Sequence, residues 1–231
     1  MNNTEIKGSF EGVKVLIGIP AGRPADWRTV VSLVSTIVRL NTHGIVSGLG
    51  VIRDCAIITT ARDKILTEFL RKDWTHLFWI DDDMVWHPDD FLRVLALTTK
   101  VDVVGVTYPA RRDPPTFFVK MPDGATECET NDLGLIQVEG LGMGFCCMTR
   151  RVVEAVTKDK PQAYDQIAKD TSYLVFRTDT WQGNFRGEDM AFFADIREQG
   201  FQVWVDPTIE LGHMGPKEYR GSMQQSLRRD N

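Results

Sequence analysis

Apolar residues follow two rhythms along this chain. Val13 to Ile19 (VKVLIGI) is a short run rich in β-branched residues that ends at Pro20-Ala21-Gly22. It predicts a buried strand followed by a loop. Asp26 then stands where a helix cap belongs, and a helix from about Trp27 to Leu40 is expected, with Val30, Leu33, Val34 and Ile37 on its buried face. Val46 to Ile52 predicts a second strand. Ile58, Ala61, Ile65 and Phe69 recur at helical spacing, and His76 to Ile80 predicts a third strand. Pro88 opens a helix carrying Phe91, Leu92 and Leu95, and Val101 to Val106 predicts a fourth strand.

This alternation of strand and helix predicts an α/β fold with a mostly parallel central sheet. The rhythm changes in the second half. Thr116 to Met121, Leu135 to Val138 and Gly144 to Met148 predict strands, followed by a helix over Arg151 to Val156. A further helix starts at Gly187-Glu188-Asp189, carries Met190, Phe193 and Ile196, and stops at Gly200. Gln202 to Val205 and Thr208 to Leu211 predict two more short strands, and residues 216–231 read as a polar tail. Tyr173, Phe176 and Trp204 are expected in the core. No internal repeat interrupts the pattern, so one domain over 1–231 is expected. About 13–107 would form the strand–helix half, and 108–215 a smaller mixed lobe.

Composition narrows the function. The 231 residues carry 42% hydrophobic and 26% charged side chains and a net charge of -5, which gives no global basic footprint for nucleic acid. The four cysteines, Cys55, Cys128, Cys146 and Cys147, form no CxxC pair, and the last two sit in an apolar run as small hydrophobes. With a polar start, MNNTEIKGSFEG, and no run near the ~20 apolar residues of a membrane span, the expectation is a cytoplasmic protein without membrane insertion.

The chemistry concentrates at strand tips, where α/β sheets collect ligands. The third strand ends in Asp81, Asp82 and Asp83. In an extended segment Asp81 and Asp83 point the same way, as two hard oxygen ligands suited to Mg²⁺ or Mn²⁺. The same triplet also fits a solvated acidic turn before Pro88. Glu188 and Asp189 at a helix start suit either a general base or a complement to the helix dipole. His213, at a strand end, is either structural or a third metal ligand. Gly140, Gly142 and Gly144 either admit a ligand to the backbone or serve packing. Tyr108, Arg111 and Arg112 follow the fourth strand, and Trp181, Asn184, Phe185 and Arg186 precede the second acidic site. Both groups are candidates for acceptor contacts, and solvated loops are the other reading.

Taken in order, FWIDDDM, LGMGFCCMTRRVVEAV and GEDMAFFADIREQGFQVWVDPTIELGHMG resemble glycosyltransferases of the GT-A fold, similar to the small family-2-like enzymes common in phage genomes. The resemblance runs from about Val13 to Gly215. It implies a nucleotide-sugar donor, a UDP-sugar before a GDP-sugar, and a divalent metal, Mn²⁺ or Mg²⁺. It implies that Asp81, with Asp82 beside it, holds the donor or metal waters, that Asp83 and His213 ligate the metal, and that Asp189 is the base with Glu188 beside it. It assigns Pro20, Ala21, Gly22 and Arg62 to the nucleotide, with Asp63 standing where the family often has Asn. Gly142 and Gly144 would face the donor sugar. Tyr108, Arg111, Arg112, Trp181 and Arg186 would face the acceptor. The phage likeness makes a hydroxymethylated pyrimidine in DNA a candidate acceptor, with Arg111, Arg112, Lys217, Arg220, Arg228 and Arg229 as a positive rim. A glycan or small sugar is the other acceptor class. A nucleotidyltransferase and a non-catalytic nucleotide-sugar-binding module are the competing readings.

Overall fold

His76–Ile80 is buried at every position, as the uninterrupted HLFWI run requires of a strand covered on both faces. In the computed structural model, which describes residues 10–125 and 128–227, this strand is central. The first half contains β1 (Lys14–Ala21), α1 (Trp27–Thr42), β2 (Val46–Arg53), α2 (Ile58–Arg71), β3 (His76–Ile80), β4 (Met84–Val85), α3 (Pro88–Leu97) and β5 (Val103–Gly105). The second half opens with β6 (Val119–Lys120), β7 (Ile136–Val138), β8 (Gly140–Leu141), β9 (Phe145–Thr149) and α4 (Arg150–Thr157). It continues with β10 (Gln162–Asp165), β11 (Asp170–Tyr173), β12 (Asp179–Trp181), β13 (Asn184–Arg186) and α5 (Glu188–Glu198). It ends with β14 (Val203–Val205), β15 (Leu211–Met214), β16 (Glu218–Gly221) and α6 (Met223–Leu227).

The main sheet has seven strands in the order β2-β1-β3-β9-β5-β14-β7. Pairing is parallel for β2-β1, β1-β3 and β5-β14, and antiparallel at β9 and β7. Five strands therefore run one way, and the two that oppose them come from the second half. Small sheets flank it, as a Rossmann-like α/β architecture allows. One of these, β16-β15-β4, sets His213 opposite Met84, next to the acidic triplet.

Apolar clusters fill both faces of the sheet. Phe78, Phe91 and Phe145 pack together on one side, with Phe78 stacked on Phe91 at 3.9 Å. Trp79, Phe176 and Phe192 pack on the other. Phe176 is buried, whereas Tyr173 and Trp204 are only partly covered. Cys146 and Cys147 are fully buried, and burial pushes the Cys147 thiol up to about 12, so both behave as small apolar groups.

Three sequence expectations change. The Asp26 cap forms, accepting from the Arg28 N–H, but α1 turns a different face inward. Thr29, Ser32, Thr36 and Leu40 are buried, while Val30 and Val34 are exposed. The reason is Trp86, whose N–H and Nε1–H donate to Ser32 Oγ at 3.2 Å and Thr36 Oγ1 at 2.9 Å. A large indole needs small partners, and two buried donors need acceptors. The strand expected over Thr208–Leu211 begins only at Leu211. Asp206 accepts from Thr208 N–H and Oγ1–H and closes a turn that consumes these residues. Part of the polar tail is structured, because Glu218–Gly221 pairs with β15 and buries Met223 behind it. Residues 1–9 and 228–231 lie outside the described residues, as does most of the polar start.

Asp63 ties α2 to the loop between β11 and β12. Its Oδ1 accepts from the N–H groups of Val175 and Phe176. Burial pushes its carboxyl up to about 6 from 3.8. The folded chain therefore binds a proton more tightly than the unfolded one, and stability falls as pH rises from about 4 to about 6. Asp63→Asn keeps the acceptor and removes the charge. It is expected to add on the order of 1–3 kcal/mol at pH 7 and to flatten that pH dependence. Urea unfolding at pH 5 and pH 7 measures both effects, and an unstabilised variant at pH 7 would refute the assignment.

Candidate active site

Three chain segments meet at the carboxyl end of β3. The first is Asp81-Asp82-Asp83, directed out of the sheet where β3 stops pairing with β9. The second is the N-terminus of α5, where Glu188 and Asp189 occupy the first turn behind Gly187. The third is the β15 strand, whose pairing with β4 carries His213 beside the triplet. Met214 N–H donates to the Asp83 carbonyl at 2.8 Å, which locks that register.

Arg62 sits at the centre. It projects from α2 with only 1% of its surface exposed. Its guanidinium reaches Asp81 Oδ1 at 3.4 Å and Glu188 Oε1 at 3.1 Å, and it also donates to Asp189 Oδ1. The ring of Phe176 lies 5.9 Å beneath it. Burial works against the charge of Arg62, but Asp189, Asp81 and Glu188 overcome it and hold the pKa above the ordinary arginine value. The carboxyl of Asp81 is pushed up, first by burial and further by Asp189, against the pull of Arg62. Asp189 Oδ2 also accepts from Met143 N–H at 3.3 Å, so both of its oxygens are oriented.

The other two aspartates face different arginines. Arg23, one residue beyond Pro20-Ala21-Gly22, donates its backbone N–H to Asp82 Oδ2 at 3.2 Å and its side chain to Asp83. Arg111 also pairs with Asp83. His213 Nε2 lies 3.5 Å from Asp83 Oδ2, and its Nδ1 lies 2.9 Å from the Pro109 carbonyl. Burial pushes the His213 pKa down, so the ring is neutral near pH 7 and its Nδ1 carries the proton given to Pro109.

Asp83 and His213 thus come together, while Asp81 turns to Arg62. Among the described residues no group of three or more His, Cys, Asp or Glu is arranged to hold a metal. A carboxylate and a neutral imidazole still form a workable pair for Mn²⁺ or Mg²⁺, since such ions commonly complete their shell with substrate phosphates and water.

Two cavities flank this network. One of about 290 Å³ is lined by Tyr108, Phe118, Gly187, Glu188, Asp189 and Met190. The other, about 430 Å³, is lined by Arg23, Asp26, Asp82, Asp83, Arg111 and Met214. Tyr108 stands between α5 and His213, with its ring 5.0 Å from the imidazole in an edge contact. Burial and the neighbouring Asp81 and Asp189 push its hydroxyl well above the usual range, so it stays protonated.

Several candidates take other positions. Gly142 and Gly144 make room for Tyr108, since an added Cβ would meet the phenol at 2.6 and 2.8 Å, and Gly142 also lines the first cavity. Arg112 turns outward to Thr116 Oγ1 and lies over Phe118. Trp181 and Arg186 form an exposed hairpin in which the guanidinium lies 5.7 Å over the indole and pairs with Asp179. Pro20 and Ala21 close β1, and Gly22 is exposed beside Arg23. Arg23 itself was missed. The available signal was a basic residue in the first-strand loop, which must lie opposite an acidic third-strand tip when strands one and three are neighbours.

Removing Arg62 while keeping its volume should expose the cost of the carboxylates it gathers. Arg62→Met is expected to lose about 3–5 kcal/mol, the usual consequence of breaking a buried charge network from one side. Asp189→Asn in the same background should recover part of that loss. Urea denaturation of the two singles and the double measures the coupling. Equal midpoints for Arg62→Met and the parent would remove Arg62 as the organiser of the site.

No family model matches this chain, and no curated protein does. Among solved structures it is similar to the crystal structure of A197 from STIV, at 20% identity over 92% of this chain and 91% of that chain, with a TM-score of 0.56. A looser likeness, with a TM-score of 0.47 and 12% identity over 95% of this chain and 75% of that chain, is to a mutant Drosophila β-1,4-galactosyltransferase 7 in complex with manganese, UDP-Gal and xylobiose. The first likeness establishes the fold alone, and the second carries no weight beyond its mention. The chain has a mixed α/β, GT-A-like fold.

Proposed function

We propose that this chain is a nucleotide-sugar-dependent glycosyltransferase whose acceptor is the hydroxyl of a sugar or glycan. The observation that carries the proposal is the convergence of the β3 carboxylates, the α5 carboxylates and Arg62 between two cavities at the carboxyl end of the sheet.

In that reading the cavity at Arg23, Asp82 and Asp83 takes the nucleoside diphosphate, and the cavity at Glu188 and Asp189 takes the reacting sugar and the acceptor. Five carboxylates (Asp81, Asp82, Asp83, Glu188, Asp189) face three guanidiniums (Arg23, Arg62, Arg111), which leaves a formal excess of two negative charges. A diphosphate adds to that excess, so a dication on Asp83 and His213 fits the charge balance. When bound, such an ion supplies Lewis-acid stabilisation of the diphosphate leaving group. Arg23 and Arg111 pair with Asp83, and the same guanidiniums would supply donors to phosphate oxygens in that cavity. Asp189 receives the proton of the acceptor hydroxyl as the new bond to the anomeric carbon forms and the bond to the diphosphate oxygen breaks. A carboxylate has about four acceptor positions, so the contacts to Arg62 and Met143 orient Asp189 and leave it basic sites.

A sugar hydroxyl is favoured over a DNA base because the expected positive rim is paired internally. Lys217 pairs with Asp113, and Arg220 pairs with Glu218. Arg112 bonds Thr116, and Arg228 and Arg229 lie outside the described residues. Phosphate tracking needs cations free to release counterions.

The test is nucleoside diphosphate release from UDP- and GDP-sugars with Mn²⁺, with and without mono- and oligosaccharide acceptors, followed by mass analysis of the products. Asp189→Asn is expected to keep the donor dissociation constant and to lose about 10²–10⁴ in turnover. Pyrophosphate release from a nucleoside triphosphate would establish a nucleotidyltransferase instead. Donor binding with no transfer to any acceptor would leave a binding module. An equal loss of binding and turnover in Asp189→Asn would make that residue a donor-positioning group.

A further inference from the structure

Among the described residues an uncovered apolar surface lies at the β2 end of the sheet, running along α1 from Trp27, beside the Asp26 that lines the second cavity. On α1, Trp27 is 68% exposed, and Val30, Val31, Val34 and Val38 are each about half exposed. On the helical wheel these five form one arc of about 100°. Arg39 on the opposite flank reaches Asp89 of α3, so the valine arc faces the other way, towards β2. There Leu49 and Val51 are exposed on the sheet face that α1 occupies, since they sit in register with Ile17 and Ile19, whose cluster includes Leu33 and Leu40. The helix therefore leaves a valine-lined flank beside an apolar edge strand.

That edge carries none of the usual protections. β2 is eight residues long and ends the sheet. Its sequence, VSGLGVIR, has no proline, and its one charge is Arg53 at the last position. Natural edge strands are normally short, charged, bulged or covered. Here one side of the strand pairs with β1 over all eight residues, and the other side offers its backbone N–H and C=O groups outward.

From this we infer that a second copy of the chain covers the patch, pairing β2 antiparallel with β2 of its partner about a two-fold axis normal to the sheet. Such an axis keeps each α1 on the same face of the joined sheet, so the two valine arcs meet over Leu49 and Val51. The occupant must supply strand backbone as well as apolar surface. Lipid supplies no backbone partners, whereas an identical edge is complementary to itself. The area also fits. Trp27, the four valines of α1, Leu49 and Val51 expose roughly 600–700 Å², against about 800 Å² per partner in a standard stable interface. Single patches on monomeric proteins are typically about 300–600 Å².

The full-length protein in sedimentation velocity, followed through serial dilution from about 50 µM, should run at twice the 26.2 kDa chain mass. Val34→Glu and Leu49→Lys, both at exposed positions, should each convert it to the single-chain mass with unchanged circular dichroism. In hydrogen exchange, the β2 amides that do not bond to β1 should be slow in the parent and fast in Val34→Glu. A parent that is monomeric throughout overturns the inference, and so does a dimer that survives both substitutions. A monomer that co-sediments with phosphatidylcholine–phosphatidylglycerol vesicles through Trp27 also overturns it and makes the patch a membrane-facing one. Each result is independent of whether the chain transfers sugar.

Discussion

A buried guanidinium organises this molecule's functional end. Arg62 leaves α2 inside the protein, where an isolated charge is not tolerated, and it can remain only because carboxylates come to it. Those carboxylates belong to the tip of β3 and the first turn of α5, elements separated by more than a hundred residues of chain. The dependence is mutual. Asp189 lies close enough to Asp81 to add to the effect of burial on that carboxyl, and the guanidinium between them pulls the other way. One side chain therefore fixes where α5 enters the site, and hence where Glu188 and Asp189 point. The aromatic floor, Phe176 against Phe192 at 4.4 Å, excludes water from one side of the guanidinium and strengthens these pairs.

Much of the frame was legible from apolar rhythm alone. The first three strands, the α1 and α3 starts at Asp26 and Pro88, and the β3 tip carry local signals that tertiary packing reinforces. What the rhythm misstated was orientation. Val30, Leu33, Val34 and Ile37 spell a core face on α1, yet the helix turns Thr29, Ser32 and Thr36 inward because Trp86 requires hydroxyl acceptors. No window of sequence contains that requirement, since it arises from a residue fifty positions away. The hairpins β10–β11 and β12–β13 were equally hidden. Their residues mix polar groups with exposed aromatics such as Tyr164, Trp181 and Phe185 and show no buried face, and their turns rest on positive backbone angles at Lys169 and at Gln182-Gly183.

The site divided along a similar line. Residue types named the participants: Asp81, Asp83, Glu188, Asp189, Arg62 and His213 all meet at one end of the sheet. Partnership was beyond the sequence. Alternation along an extended strand places Asp81 and Asp83 on one side, but the chain turns after Ile80, with Met84 N–H bonding the Asp81 carbonyl. The turn sends the two carboxylates to different arginines. The glycines of the EGLGMGF segment carry a related lesson. Gly142 and Gly144 leave room for the Tyr108 phenol and Gly140 for Met190 and Phe193, so the lack of a side chain there serves packing.

Tyr108 shows how this arrangement keeps its two charge clusters apart. Its ring lies against His213, and its hydroxyl lies over the backbone at Gly142 and Gly144, near Asp189. An ionised phenol there would add a negative charge to a site already in excess. Burial and the neighbouring carboxylates forbid it, so the group remains a neutral donor. The aromatic body separates the Asp83–His213 pair from the Arg62 network with low-dielectric material. The two carboxylate groups therefore answer to different cations.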